Sequence, residues 1–114
     1  MRDIIGKVAD LNNQGIVHEK CGDIESAIRC YEDNIQLRYP TTHAYDRLMV
    51  IYRRRGQVDA EIRVINIAIE VFTKEIERRT TLGGYTANIE ETVDQYRRRI
   101  ERRLKQKQAK EPER

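Results

Sequence analysis

Residues 16–37, IVHEKCGDIESAIRCYEDNIQL, are matched 34 positions later by residues 50–71, VIYRRRGQVDAEIRVINIAIEV. Gly22 aligns with Gly56 and Arg29 with Arg63, and most apolar residues of the first segment align with apolar residues of the second. A fixed period of this length, in helical sequence with a glycine at the turn, indicates a repeated helix–turn–helix unit. Such units bury their apolar faces only by stacking, which creates a groove for a partner and no ready active site.

Apolar residues at helical spacing predict five helices in the chain. We expect them over residues 3–20, 24–38, 43–55, 57–79 and 88–105. The last helix carries a narrow apolar stripe formed by Ile89, Val93, Tyr96, Ile100 and Leu104. Because the 34-residue match stops after residue 72, we expect this helix to cap the array by covering its last apolar face.

The predicted helix ends follow from residues with known capping preferences. Gly22 and Gly56 can adopt the left-handed conformation that terminates a helix, and Asp23 can cap the helix that follows. Pro40 prevents the second helix from continuing, after which a hydroxyl of Thr41 or Thr42 can cap the third. Asn88, three residues before Glu91, resembles a capping box at the start of the last helix.

Both units resemble tetratricopeptide repeats. The first unit supplies Leu11, Gly15, Gly22, Ala27, Tyr31 and Pro40 of the family pattern, and the second supplies Tyr45, Leu48, Met49, Tyr52, Gly56 and Ala68. Gly15 lies where the family needs a small residue for close helix approach. Two departures stand out: Met49 replaces the usual Gly or Ala, and Glu61 occupies the position of a small residue.

The resemblance implies an all-α fold, an α-α superhelix of about five helices in antiparallel pairs. We expect one domain over residues 1–107, with repeats at about 8–40 and 42–75 and a capping helix at about 88–105. Residues 108–114 are expected to form a disordered tail, since apolar periodicity ends after Lys105.

The resemblance also implies a binding groove, because the first helix of each unit lines the concave face in this family. The implied groove residues are Asn12, Asn13, Ile16, Glu19, Asp46, Arg47, Val50, Arg53 and Arg54. One subset of the family grips a C-terminal carboxylate, but its five clamp residues are not matched here. Arg47 and Arg54, two turns apart with Val50 between them, instead suit an acidic or extended peptide. The alternative is that residues 53–55 are only a solvated helix end, where cations favour the negative end of the helix dipole.

The charge distribution offers a second candidate site. The chain has a net charge of +3, but residues 95–114 hold nine basic and three acidic residues, a net charge of +6, which leaves −3 on residues 1–94. The basic residues of the last helix could track nucleic-acid phosphates. They are Arg97, Arg98, Arg99, Arg102, Arg103 and Lys105. The alternative is a solvated face on a capping helix with pairs such as Glu101–Lys105.

The sequence favours a non-catalytic protein-interaction module, a scaffold or adapter that binds a peptide or protein, over an enzyme. His18 and His43 lack partners at metal-ligand spacing, and Ser26 lacks a nucleophile-elbow context. We therefore expect no metal and no cofactor. No apolar run approaches the ~20 residues that cross a bilayer, and no signal-peptide pattern is present, so we expect a cytoplasmic protein. A homodimer, with the long fourth helix and the stripe of the last helix forming a helix–helix seam, is a companion hypothesis. A subunit whose only role is self-association is a further alternative.

Overall fold

In a computed structural model, which describes residues 2–110, the chain forms five α-helices and no strand within that range. The helices are α1 (Arg2–Lys20), α2 (Ile24–Gln36), α3 (His43–Arg54), α4 (Val58–Thr81) and α5 (Ala87–Lys110). Each helix packs on the next one along the chain, and the principal extents are 50 × 35 × 18 Å. The predicted all-α fold with about five helices is confirmed.

The same glycine turn ends α1 and α3. Gly22 and Gly56 have φ angles of +78° and +70°, a left-handed conformation that costs glycine little. After α1 the Asp23 N–H donates to the carbonyl of His18, and the equivalent bond follows α3. The carboxylate of Asp23 then accepts from the N–H of Ser26 at 3.1 Å. Both glycine predictions and the Asp23 cap are confirmed, whereas Thr42 makes no side-chain capping bond to α3.

The core runs without interruption from α2 to α5. Its largest fully buried apolar side chains are Tyr31, Tyr45, Leu48, Met49, Ile65 and Val64. Gly15 brings α1 close to α2, because a Cβ added there would lie 2.3 Å from Cε1 of Tyr31. The predicted close approach at Gly15 is therefore present.

Helix α5 completes this core. Ile89, Val93 and Tyr96 are buried, and the Tyr96 ring lies 6.0 Å from that of Phe72 in α4. The stripe that we considered as a homodimer seam is thus used inside the molecule, with Leu104 alone among its five residues classed as exposed. The buried residues of the stripe cover the apolar face of α4, whereas Leu104 is 45% exposed.

The last two helices extend beyond the approximate ranges expected from the sequence. Helix α4 continues to Thr81, and α5 begins at Ala87 and extends through Lys110. Thr86 occupies the cap position instead of Asn88, because its carbonyl accepts from the N–H groups of Ile89 and Glu90. Residues 108–110 of the predicted disordered tail belong to α5; residues 111–114 lie outside the described residues.

The side of the molecule formed by α2 and α4 is held by a polar cluster. Glu32 of α2 accepts hydrogen bonds from the Tyr52 hydroxyl and from the Arg63 guanidinium of α4. Burial, together with the bond to Glu32, raises the pKa of Tyr52 to about 12. Side chains therefore connect alternate helices of the chain as well as successive ones.

Candidate functional site

Helices α1, α3 and α5 share the opposite side, which we call the α1–α3–α5 face. Arg47 of α3 pairs with Glu19 of α1, and Tyr96 of α5 donates to Asp46 of α3 at 2.8 Å. These contacts bring the two halves of the predicted groove onto one surface and add α5 as its third wall. The sequence-based groove did not include α5.

Between α1 and α3, an ion pair within the chain bridges the predicted groove. Arg47 donates to the Glu19 carboxylate from Nε at 3.1 Å and from Nη2 at 2.6 Å, and the Tyr31 hydroxyl donates to Glu19 at 2.6 Å. The Arg47 hydrogen bond is the main reason that the pKa of Glu19 lies below its ordinary value. Burial raises the pKa of Tyr31, and the bond to Glu19 raises it further. Arg47, which we expected to meet a partner, is thus bound within the chain.

The other α1 residues of the predicted groove contribute little open polar surface. Asn12 accepts a hydrogen bond from the buried Asn34 at 2.8 Å, and Asn34 also donates to the carbonyl of Val8. Asn13 is exposed and Ile16 is half-buried. The amide of Asn12 therefore positions α2 against α1.

At the other end of the face lies an open pocket of about 430 Å³, lined by Val50, Arg53, Arg54 and Arg99. We call it the α3–α5 pocket. Arg53 and Arg54 are exposed, and neither has a salt bridge among residues 2–110. The neighbouring Arg55 instead pairs with Glu25 of α2. Within the run at residues 53–55, Arg55 thus makes a structural contact, whereas Arg53 and Arg54 line an open cationic pocket.

Beside this pocket, a buried carboxylate fixes α5. Glu61 of α4 is 0% exposed, and its Oε2 lies 3.2 Å from Nε of Arg99 and 3.8 Å from Nε of Arg103. Oε1 of Glu61 and Nε of Arg103 have no hydrogen-bond partner in the described part of the chain. Burial lowers the pKa of Arg103, and the positive charges of Arg53, Arg99 and Arg102 lower it further.

The Glu61 cluster corrects our interpretation of the basic helix. Arg99 and Arg103 bind Glu61 and do not form part of a continuous outward stripe that could track phosphates. In the sequence, Glu61 is only a departure from the repeat pattern, with no visible connection to α5. The usable signal was a charged residue at a small-residue position together with two arginines spaced i and i+4 in the capping helix.

The other four of the six basic residues predicted for this site are exposed. Arg98, Arg102 and Lys105 are exposed, and Arg97 lines a separate shallow pocket with Glu90 and Asp94. Arg97 therefore lies beside acidic side chains, whereas Arg53 and Arg54 do not line a pocket with any acidic residue. The α3–α5 pocket is the more strongly cationic of the two.

Other chemical features do not converge on a site. Residues 2–110 contain no group of three or more His, Cys, Asp or Glu side chains placed to hold a metal ion. Cys21 and Cys30 are both free thiols, and burial raises the pKa of Cys30, which disfavours the reactive thiolate. Within the described residues no helix combines the length and apolarity needed to cross a membrane.

Comparisons with known proteins found no relative of this chain. No family model, no curated protein and no solved structure matches the chain.

Proposed function

We propose that the protein is a non-catalytic interaction module that binds an acidic segment of a protein partner on the α1–α3–α5 face. The observation that carries the proposal is the α3–α5 pocket, where Arg53, Arg54 and Arg99 surround the apolar Val50. Guanidinium groups form forked hydrogen bonds with carboxylates, so Arg53 and Arg54, which have no ion-pair partner among the described residues, favour an anionic ligand at this open pocket. The residue pattern of the two units supports a tetratricopeptide-like scaffold as part of the same proposal.

The distribution of charge along the face supports one preferred contact point. The α1–α3 end is neutralised by the Glu19–Arg47 pair, while the α3–α5 end retains unpaired guanidiniums. An extended acidic segment would therefore dock its charged residues at the pocket and run over less charged surface elsewhere. Ile16 and Val50, both half-buried on this face, would contact apolar side chains of the segment.

The test is a peptide-display selection on the purified chain, followed by affinity measurements of the enriched peptides. We expect enrichment of peptides rich in Asp and Glu. Their affinity should fall by about tenfold or more in the double variant Arg53→Glu/Arg54→Glu, since each lost charge-assisted hydrogen bond is worth about 1.5–3 kcal/mol. Both residues are exposed, so the variant should keep the fold.

The matched control is Arg97→Glu/Arg98→Glu, which reverses two charges on α5 outside the pocket. It changes the net charge of the protein by the same amount, and we expect affinities within about twofold of the original because the control residues lie outside the pocket. Equal losses in both variants would mean that binding reflects overall charge. Failure to enrich acidic peptides would contradict the proposal.

A further inference from the structure

We propose that the α3–α5 pocket receives a phosphorylated side chain of the partner segment, so that phosphorylation of the partner controls binding. This inference rests on the proposed function, because it specifies the anionic group that the same pocket takes.

The α3–α5 pocket has an excess of positive charge. Three guanidiniums line the pocket, and Arg103 lies close enough for the charges of Arg53 and Arg99 to lower its pKa. Glu61 is the only acid within ion-pair distance of these arginines among the described residues, through Arg99 and Arg103, and the carboxyl of Asp46 lies close enough to Arg99 for their charges to interact. A ligand with one negative charge would leave part of this excess uncompensated. A phosphoryl group carries about −1.5 to −2 charges at neutral pH and three acceptor oxygens.

The arginines of the pocket also keep hydrogen-bond donors that no group within residues 2–110 uses. Arg99 uses Nε for Glu61, and its terminal nitrogens make no hydrogen bond within residues 2–110. Arg53 and Arg54 make no side-chain hydrogen bond in that range either. The guanidinium groups of these three arginines offer more N–H donors than the two oxygens of a carboxylate can satisfy. Clustered arginines are a recurrent means of binding phosphorylated residues.

Most of the terminal carbonyl groups of α3 already accept hydrogen bonds within the chain. The carbonyls of Ile51, Tyr52 and Arg53 accept hydrogen bonds from the N–H groups of residues 55–57. A helix C-terminus repels anions through its unsatisfied carbonyls. At this end that repulsion is reduced by the turn at Gly56.

The pocket suits a side chain of a protein better than a nucleic acid. Val50 supplies an apolar wall for the carbon atoms that carry a phosphoryl group, and the volume of about 430 Å³ lies in the range of small-ligand sites. No aromatic ring lines the pocket, although stacking on aromatic rings contributes much of single-stranded nucleic-acid binding. Tyr96 of the same face is buried and donates its hydroxyl to Asp46.

Fluorescence anisotropy with labelled peptide pools tests the inference. The pools carry a central phosphoserine, phosphothreonine or phosphotyrosine between randomised positions, and matched pools carry the unmodified residue or glutamate. We expect at least one phosphorylated pool to bind about tenfold more tightly than both matched pools, the equivalent of one added charge-assisted hydrogen bond. Inorganic phosphate should compete in the millimolar range.

Three variants locate the binding. Arg53→Ala/Arg54→Ala should lose about tenfold in affinity for the phosphorylated pool, and the control Arg97→Ala/Arg98→Ala should stay within about twofold. Arg53→Lys/Arg54→Lys keeps the positive charges but loses the forked guanidinium groups. We expect an intermediate loss of affinity for the phosphorylated pool, about threefold to fivefold. Full retention in the lysine variant would overturn the fork geometry on which the inference depends.

The other outcomes separate the inference from the proposed function. If the glutamate pool binds as tightly as the phosphorylated pool, the phosphoryl inference is wrong and the acidic-segment function stands. If no pool binds more tightly to the original chain than to Arg53→Ala/Arg54→Ala, both are wrong. If random single-stranded RNA binds more tightly than every pool and displaces them, the pocket belongs to a nucleic-acid surface and the inference fails.

Discussion

Replacing Glu61 with leucine should destabilise the protein by about 3 kcal/mol, because it leaves a buried guanidinium without its counter-charge. The Arg103 side chain is only 7% exposed, whereas that of Arg99 is 23% exposed. Removing one partner of a buried ion pair typically costs about 3–5 kcal/mol. We place the cost at the lower end because Arg99 can turn towards water.

Urea unfolding followed by far-UV circular dichroism measures this change. The control is Asp59→Ala in the same helix, which removes the ion pair between Asp59 and Lys107. Because the Asp59 side chain is 81% exposed, its loss should cost less than about 0.5 kcal/mol, as is usual for surface pairs. The comparison isolates the effect of burial at two positions that both connect α4 with α5.

The double variant Glu61→Leu/Arg103→Leu tests the cause. Removing both charges eliminates the unpaired guanidinium at Arg103, so we expect most of the stability to return, as in other proteins where a buried ion pair was replaced by apolar residues. A loss below about 1 kcal/mol in Glu61→Leu would refute the reasoning. So would a double variant that is less stable than the single one.

Three further predictions concern the scaffold. Arg78 and Arg79 bind Glu75 and hold its pKa at about 2. A carboxyl whose folded pKa is depressed loses its stabilising effect as the pH falls, here from about 5 towards 2. Over that range we expect the free energy of unfolding of the original chain to decrease by about 1–2 kcal/mol more than that of Glu75→Gln. The exposure of the two arginines to solvent keeps this difference small. Gly15→Ala should lower the free energy of unfolding by about 1–2 kcal/mol by crowding Tyr31, whereas Gly6→Ala, with nothing within 4 Å, should not lower it. Arg38 has a φ angle of +53°, so Arg38→Gly should raise the thermal midpoint by the equivalent of about 0.5–1 kcal/mol, and a lower midpoint would contradict this strain.

The parts of the fold set by local interactions were predictable from the sequence. The glycines at 22 and 56 and the cap at Asp23 act within one turn of the chain, so their residue types were sufficient to indicate the helix ends. The end of α2 was less clear, because Arg38 adopts a left-handed conformation that residue type does not favour. Thr86 caps α5 through its backbone carbonyl, which sequence alone does not distinguish from the side-chain cap expected at Asn88.

The candidate site depends on contacts between residues distant in sequence. Arg53 and Arg99 are separated by 46 positions, and they meet only because α5 packs antiparallel to α4 in one register. The burial of Glu61 and the bond from Tyr96 to Asp46 set that register. In the sequence the groove arginines and the basic helix consequently look like two separate sites, whereas the structure joins part of each into one pocket.

The central claim is that anionic segments bind at the α3–α5 pocket. Its most direct test is a titration of the ¹⁵N-labelled chain with an enriched acidic or phosphorylated peptide, monitored at the arginine Nε–H resonances. The account predicts that the resonances of Arg53, Arg54 and Arg99 shift with one common affinity, while those of Arg97, Arg98 and Arg102 remain near their original positions. Shifts confined to the exposed residues of α5, or the absence of shifts at Arg53 and Arg54, would contradict it.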